Sequence, residues 1–139
     1  MANMLQCDIV TPERKLASVE ASMVVVPAYD GEMGILSKHV PIVSVLGQGE
    51  VRCTLENNDV DRYAIDGGYV QVTNDDKVIV LADSAIKTAD IDVEDVKARI
   101  ADLSARIEQL EDDDASKSLL SKELEWARVQ EQVATRTQS

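Results

Sequence analysis

The spacing of apolar residues changes once along this chain, near residue 88, and that change limits the folds open to it. Before it, β-branched and aliphatic residues alternate with polar ones in short runs, the two-residue repeat of half-buried strands. After it, Val93, Val96, Ile100, Leu103, Ile107 and Leu110 follow at gaps of 3, 4, 3, 4 and 3, which aligns them along one side of a helix. The chain therefore reads as a β-domain over residues 1–88 followed by a helical domain over residues 89–139.

Within the first part, Leu5–Val10 alternates loosely, and Thr11-Pro12-Glu13-Arg14 is a turn with proline at its second position. Leu16–Val26 reads as one long strand, with Ala17, Val19, Ala21, Met23 and Val25 on one face. Pro41–Leu46, Glu50–Leu55, Arg62–Ile65, Tyr69–Thr73 and Lys77–Ala82 read as further strands. Gly47 and Gly49, Asn57-Asn58-Asp59 and Asn74-Asp75-Asp76 punctuate them, and Gly67-Gly68 reads as a bulge or tight corner. Val78–Ala82 has no polar side, which predicts burial on both faces. Short strands with regular turn signals define a sandwich or a barrel. Phe is absent and aromatic residues make up only 3%, so the core must be built from Val, Ile, Leu, Ala and Met.

In the second part, Asp92 is a good N-cap, and Asp95 three residues on forms a variant of the capping box. Glu111-Asp112-Asp113-Asp114 suits a turn and the start of a second helix, where the macrodipole favours carboxylates. One of these acids, or Ser116, can cap that helix, which runs from about Ala115 to Ala134. Leu120, Leu124 and Ala127 form its stripe, with Leu119, Trp126 and Val133 beside it. So short a connection makes the helices antiparallel neighbours. Two helices cannot bury both seams on each other alone, so the hairpin needs a third surface, either the β-domain or a partner.

Val24–Pro41 stands out as a stretch built for presentation. Pro27 ends a strand, Gly31 and Gly34 bracket the acidic pair Asp30 and Glu32, and His39 and Pro41 follow. Pro/Gly loops held between strands are common places for function. Catalytic chemistry is thin, however. His39 is the only histidine, and no nucleotide-binding glycine motif or metalloprotease motif is present. Cys7 and Cys53 fall in strand-like apolar patterns and read as reduced core thiols rather than metal ligands. The acidic run at Glu111–Asp114 lacks calcium-loop spacing. A net charge of -12 is repelled by phosphate backbones, which argues against nucleic acid. No apolar run is long enough to span a bilayer, and no signal sequence opens the chain.

Four segments carry a family resemblance: Val10-Thr11-Pro12-Glu13; Pro27–Leu36 with His39-Val40-Pro41; Tyr63–Val70; and Val78–Ala85. In order and spacing they resemble the epsilon subunit of the bacterial rotary (F-type) ATP synthase. The resemblance implies an all-β sandwich of about ten strands followed by an antiparallel two-helix hairpin. It implies a non-catalytic rotor subunit of the central stalk, without a cofactor, that couples c-ring rotation to the catalytic head. The implied partners are the gamma subunit and the c-ring, and transiently the alpha and beta subunits. The implied place is the cytoplasmic side of the cell membrane, reached only through the complex. On this resemblance Asp30, Glu32 and His39 form the c-ring-facing edge, and the helical hairpin restrains ATP hydrolysis. Some members bind ATP through a motif Ile/Leu-Asp-x-x-Arg-Ala. Here Ile91 and Asp92 match it, but Asp95 and Val96 stand where arginine and alanine would be, so nucleotide binding is expected to be weak or absent. A metal-dependent β-sandwich enzyme would need several inward His or Glu ligands. A free adaptor using the hairpin for partner binding is the alternative.

Overall fold

A computed structural model describes residues 4–138, with side chains through residue 136. Two compact units divide between Lys87 and Thr88.

The described residues of the first unit contain eight strands: β1 (Leu5–Val10), β2 (Lys15–Ala21), β3 (Met23–Ala28), β4 (Gly31–Leu36), β5 (Ile42–Thr54), β6 (Val60–Val72), β7 (Lys77–Ala82) and β8 (Ala85–Lys87). The resemblance implied about ten; Pro41–Leu46 and Glu50–Leu55 merge into one continuous strand, as do Arg62–Ile65 and Tyr69–Thr73. β5 runs through Gly47 and Gly49, and β6 runs through Gly67 and Gly68. The strands pair in the order β2-β1-β7-β6-β5-β3-β4, with β8 on β6. Only β1–β7 is parallel. The two halves of β6 have different neighbours: Tyr63–Ile65 pairs with β8, and Gly68–Val72 pairs with β7. The glycines fall at that changeover, where a bend is needed.

Leu16–Val26 is not one strand. Ser22 is a bend, tied through its backbone N–H to the Thr54 carbonyl at 2.7 Å. The bend shifts the alternation, so that Ala21 and Val24 point inward while Met23 is exposed. β2 then belongs with β1, and β3 with β4 and β5. Pro27 does not end its strand either. The register of β3 against β5 shifts between Val25 and Ala28, and a bulge is where a strand tolerates a residue without an N–H. What sequence suggested was a loop after Pro27 is therefore mostly the β3–β4 hairpin. Inward side chains from both ends of the pairing path, among them Leu5, Cys7, Ile9, Val24, Val26, Ile35, Cys53, Ile65, Val78 and Val80, form one buried core. Val78, Val80 and Ala82 point into it, but Leu81 is exposed, so β7 is buried on one face rather than two.

The second unit holds a 3₁₀ turn (Thr88–Asp90), α1 (Val93–Glu108) and α2 (Ala115–Gln138). The Asp92 carboxylate accepts from the Asp95 backbone N–H at 3.1 Å and caps α1. Asp114, not Ser116, caps α2, accepting from the Ser116 N–H at 2.8 Å. Val96 and Leu103 are the buried positions of the α1 seam; Ala127, Gln130, Val133 and Ala134 are those of α2. Leu119, near the turn, is exposed.

Candidate functional site

The β3–β4 hairpin sets the geometry of the expected contact edge. Ala28 pairs with Gly31 and Met23 with Leu36, so Tyr29 and Asp30 form the tip and both are exposed. His39 belongs to the other end: its N–H bonds to the Leu36 carbonyl at 3.1 Å. Five residue steps of β4, about 17 Å at the usual strand rise, separate the two ends. Asp30 and His39 are thus not brought together.

The His39 end is organised by a residue far away in sequence. Asp76, in the β6–β7 turn, accepts from the Lys38 backbone N–H at 2.7 Å and from the Ser37 hydroxyl at 2.8 Å. These two donors hold the Asp76 carboxyl below its ordinary range. Lys38 and Asp76 both have positive φ. The His39 Nδ1 lies 2.7 Å from the Val40 carbonyl oxygen, a local contact that involves no second catalytic group.

Glu32 is placed differently again. Its two oxygens accept from the Arg52 guanidinium at 2.6 and 3.2 Å, a bidentate pair. Arg52 and Arg62, paired in register across β5 and β6, both reach Glu50 Oε1, at 3.3 and 3.1 Å. The Glu50 side chain is almost fully buried. The hydrogen bonds that Arg52 donates to Glu32 are the main cause that raises its pKa. Glu32 therefore contributes to a four-residue charge network on the sheet rather than to a bare acidic edge. Sequence reading missed this network. Its signal is a glutamate and an arginine two apart on one strand face, with a second arginine across from them.

A further feature is apolar. Val45 pairs with Tyr69, Tyr69 with Leu81, and Leu81 with Val10. These residues form a row over β5, β6, β7 and β1, on the face opposite the core. Val45 is 49% exposed, Tyr69 54% and Leu81 45%. A shallow depression at one end is lined by Tyr29, Asp30, Val43, Ser44 and Val45. Another, at the other end, is lined by Val10, Thr11, Pro12, Tyr69 and Leu81 among others. The signal for this row was the missing polar side of Val78–Ala82.

In the second unit, Ile91 is half-buried and Asp92 is occupied as the α1 cap. The Asp95 carboxylate accepts from the Arg99 guanidinium at 3.3 Å. Among the described residues, no group of three or more His, Cys, Asp or Glu side chains converges as a metal site would. No described helix is long and apolar enough to cross a membrane.

The described residues thus form a β-sandwich that carries an exposed apolar row and a bound-up charge network on its outer surface. Residues 4–88 match the family model described as "ATP synthase, Delta/Epsilon chain, beta-sandwich domain". The chain is 36% identical over 130 residues to the ATP synthase epsilon chain of Myxococcus xanthus, covering 94% of this chain and 90% of that one. It is 42% identical over 98 residues to that of Desulforamulus reducens, covering 70% and 73%. A chain in the cryo-EM structure of Euglena gracilis mitochondrial ATP synthase shares the fold, with a TM-score of 0.78 at 21% identity, covering 93% of this chain and 80% of that one. The chain belongs to the ATP synthase epsilon chain family. It is a non-catalytic subunit of a membrane-associated, multi-subunit enzyme.

Proposed function

We propose that this subunit works in the central stalk of the ATP synthase, on the cytoplasmic side of the membrane, and couples c-ring rotation to the catalytic head. In this reading the β-unit binds gamma through the row Val45, Tyr69, Leu81 and Val10. The exposed row is the observation that carries the reading. An apolar sheet face left in water costs free energy that a partner's apolar surface removes, at roughly 25 cal/mol per Å². The Tyr29–Asp30 tip adjoins that face and meets the c-ring. Asp30 supplies an accepting charge there. Glu32 acts indirectly, by fixing Arg52 beside the hairpin, and His39 lies at a second contact about one strand length away. The helical hairpin restrains hydrolysis, with alpha and beta as transient partners. Asp95 opposes a phosphate at the position where the family's ATP motif carries a cation, so nucleotide binds weakly or not at all.

The test is assembly. Tyr69→Asp and Leu81→Asp change the outer face without touching the core. Each is expected to keep the circular dichroism spectrum of the β-unit and to lose co-purification with gamma. Full retention of gamma by the folded double variant would overturn the docking assignment.

A further inference from the structure

The core contains a pair of nucleophilic groups that stalk function does not use. Cys7 on β1 and Cys53 on β5 are both fully buried, at 0% exposure. Their sulfurs are 3.8 Å apart, in hydrogen-bonding contact. β1 and β5 are not neighbours in the sheet. Two strands, β7 and β6, separate them along the pairing path. The sulfurs therefore meet across the core, each flanked by fully buried aliphatic partners: Cys7 pairs with Val78, and Cys53 with Val24. Both thiols are free.

We propose that Cys7 and Cys53 form an oxidative modification site, which a small peroxide closes to an intramolecular disulfide joining β1 to β5. A disulfide bond is about 2.05 Å long, so the sulfurs must approach by roughly 1.8 Å. The thiolate of one cysteine attacks a peroxide oxygen and becomes a sulfenic acid, and hydroxide leaves to be protonated. The second thiol then gives up its proton and attacks the sulfenic sulfur, and water leaves. In sum, two thiols and one hydrogen peroxide give one disulfide and two waters; the thiols lose two electrons and the peroxide gains them. No resolving cysteine from another chain is needed, because the second thiol is already in contact.

The same surroundings set the rate. The hydrogen bond to Cys53 and burial push the Cys7 thiol far above its ordinary pKa. The closed sandwich therefore holds the Cys7 sulfur as an unreactive thiol and keeps both sulfurs out of reach of solvent. Reaction passes through local openings of the β1 side, and its rate follows the population of those openings. Oxidation is expected to be slow under native conditions and to accelerate in sub-denaturing urea. Once formed, the bond closes a long loop and raises the unfolding midpoint.

The test is direct on the full chain. After exposure to excess hydrogen peroxide and quenching, intact mass is expected to fall by about 2 Da, the two hydrogens lost. Both thiols should vanish together from an alkylation count, and peptide mapping should recover Cys7 linked to Cys53. The product should remain monomeric, revert with dithiothreitol and unfold at a higher urea concentration. Cys53→Ala should instead leave a sulfenic acid at Cys7, trapped by dimedone, with no mass loss. Persistence of both thiols through the native and urea arms would overturn the proposal. So would sulfinic acid at either cysteine, or a disulfide between two chains, and these outcomes are read on the wild-type chain even if the variant does not fold.

Discussion

The two units are held together in different ways. The β-unit draws its core from strands far apart in sequence: Leu5 and Ile9 pack in the same cluster as Ile65 and Val80. The hairpin's order is local. Its buried residues are few, its α1 seam is buried only at Val96 and Leu103, and apolar Leu119 remains in water. A unit with a long-range core loses its structure all at once. A two-helix unit with a thin core can lose or regain its packing without disturbing a sandwich that makes its own. That contrast suits the roles proposed above, a rigid docking platform and a conditional regulatory arm.

The largest expected effect comes from the point where the sandwich has no slack. Gly68 has φ +120°, and a Cβ added there would lie 2.0 Å from the Leu81 carbonyl oxygen. Gly68→Ala must displace the β6–β7 pairing itself, and is expected to cost about 4 kcal/mol or more in urea unfolding of the β-unit. A loss below about 1 kcal/mol would show that this strand pair is more compliant than its geometry. The paired truncations Ile65→Ala and Leu103→Ala sharpen the contrast. Ile65→Ala is expected to cost about 4 kcal/mol and Leu103→Ala about 2–3 kcal/mol. Hydrogen exchange should localise the second loss to residues 88–138, with the β-unit amides unchanged. Equal loss of protection in both units would break the comparison.

Next in size is the charge network. Arg52→Ala removes one of the two cations on the buried Glu50 carboxylate and leaves Arg62. It is expected to cost about 2 kcal/mol, since a buried charge loses half its compensation. Glu32→Gln disturbs only the exposed side of the same network, and should cost about 0.5–1 kcal/mol. Chemical unfolding of the two single variants and the double variant would separate the terms. A larger loss from Glu32→Gln than from Arg52→Ala would reverse the assignment of Glu50 as the residue that matters.

Much of this was legible beforehand, because period and turn chemistry are local. The helical seam, the Asp92 cap and the Asn74–Asp76 turn are each written within a few residues. What was not legible depends on partners distant in the chain. Pro27 looked like a strand end because sequence does not show that β5 shifts register beside it. Gly47 and Gly49 looked like stops, whereas β5 runs through them, while Gly67-Gly68, read as a bulge or tight corner, falls inside β6 where its pairing changes from β8 to β7. The row Val45, Tyr69, Leu81 and Val10 combines residues from four strands, so the run Val78–Ala82 alone signalled two buried faces and could not say that one of them stands exposed. Asp30, Glu32 and His39 are near one another in sequence, but the β3–β4 hairpin gives them three separate settings.

The smallest effect is confined to the His39 end of that hairpin. The Asp76 carboxylate accepts from Lys38 N–H and Ser37 hydroxyl, and its pKa is lowered as a result. A depressed folded pKa means the anchor is fully present above the ordinary aspartate value of about 3.9 and is lost only as pH falls through the lower, folded value. In an NMR titration the Lys38 amide is expected to hold its position while ordinary exposed aspartates titrate, and to move at lower pH together with the Asp76 carboxyl carbon. Asp76→Gly removes both acceptor oxygens and tolerates the positive φ of this position, so it should lose the Ser37 and Lys38 bonds and release the loop at every pH, with no change in the β-unit core. An Asp76 midpoint at or above the ordinary value would mean that the turn between β6 and β7 does not hold the His39 loop through this carboxylate.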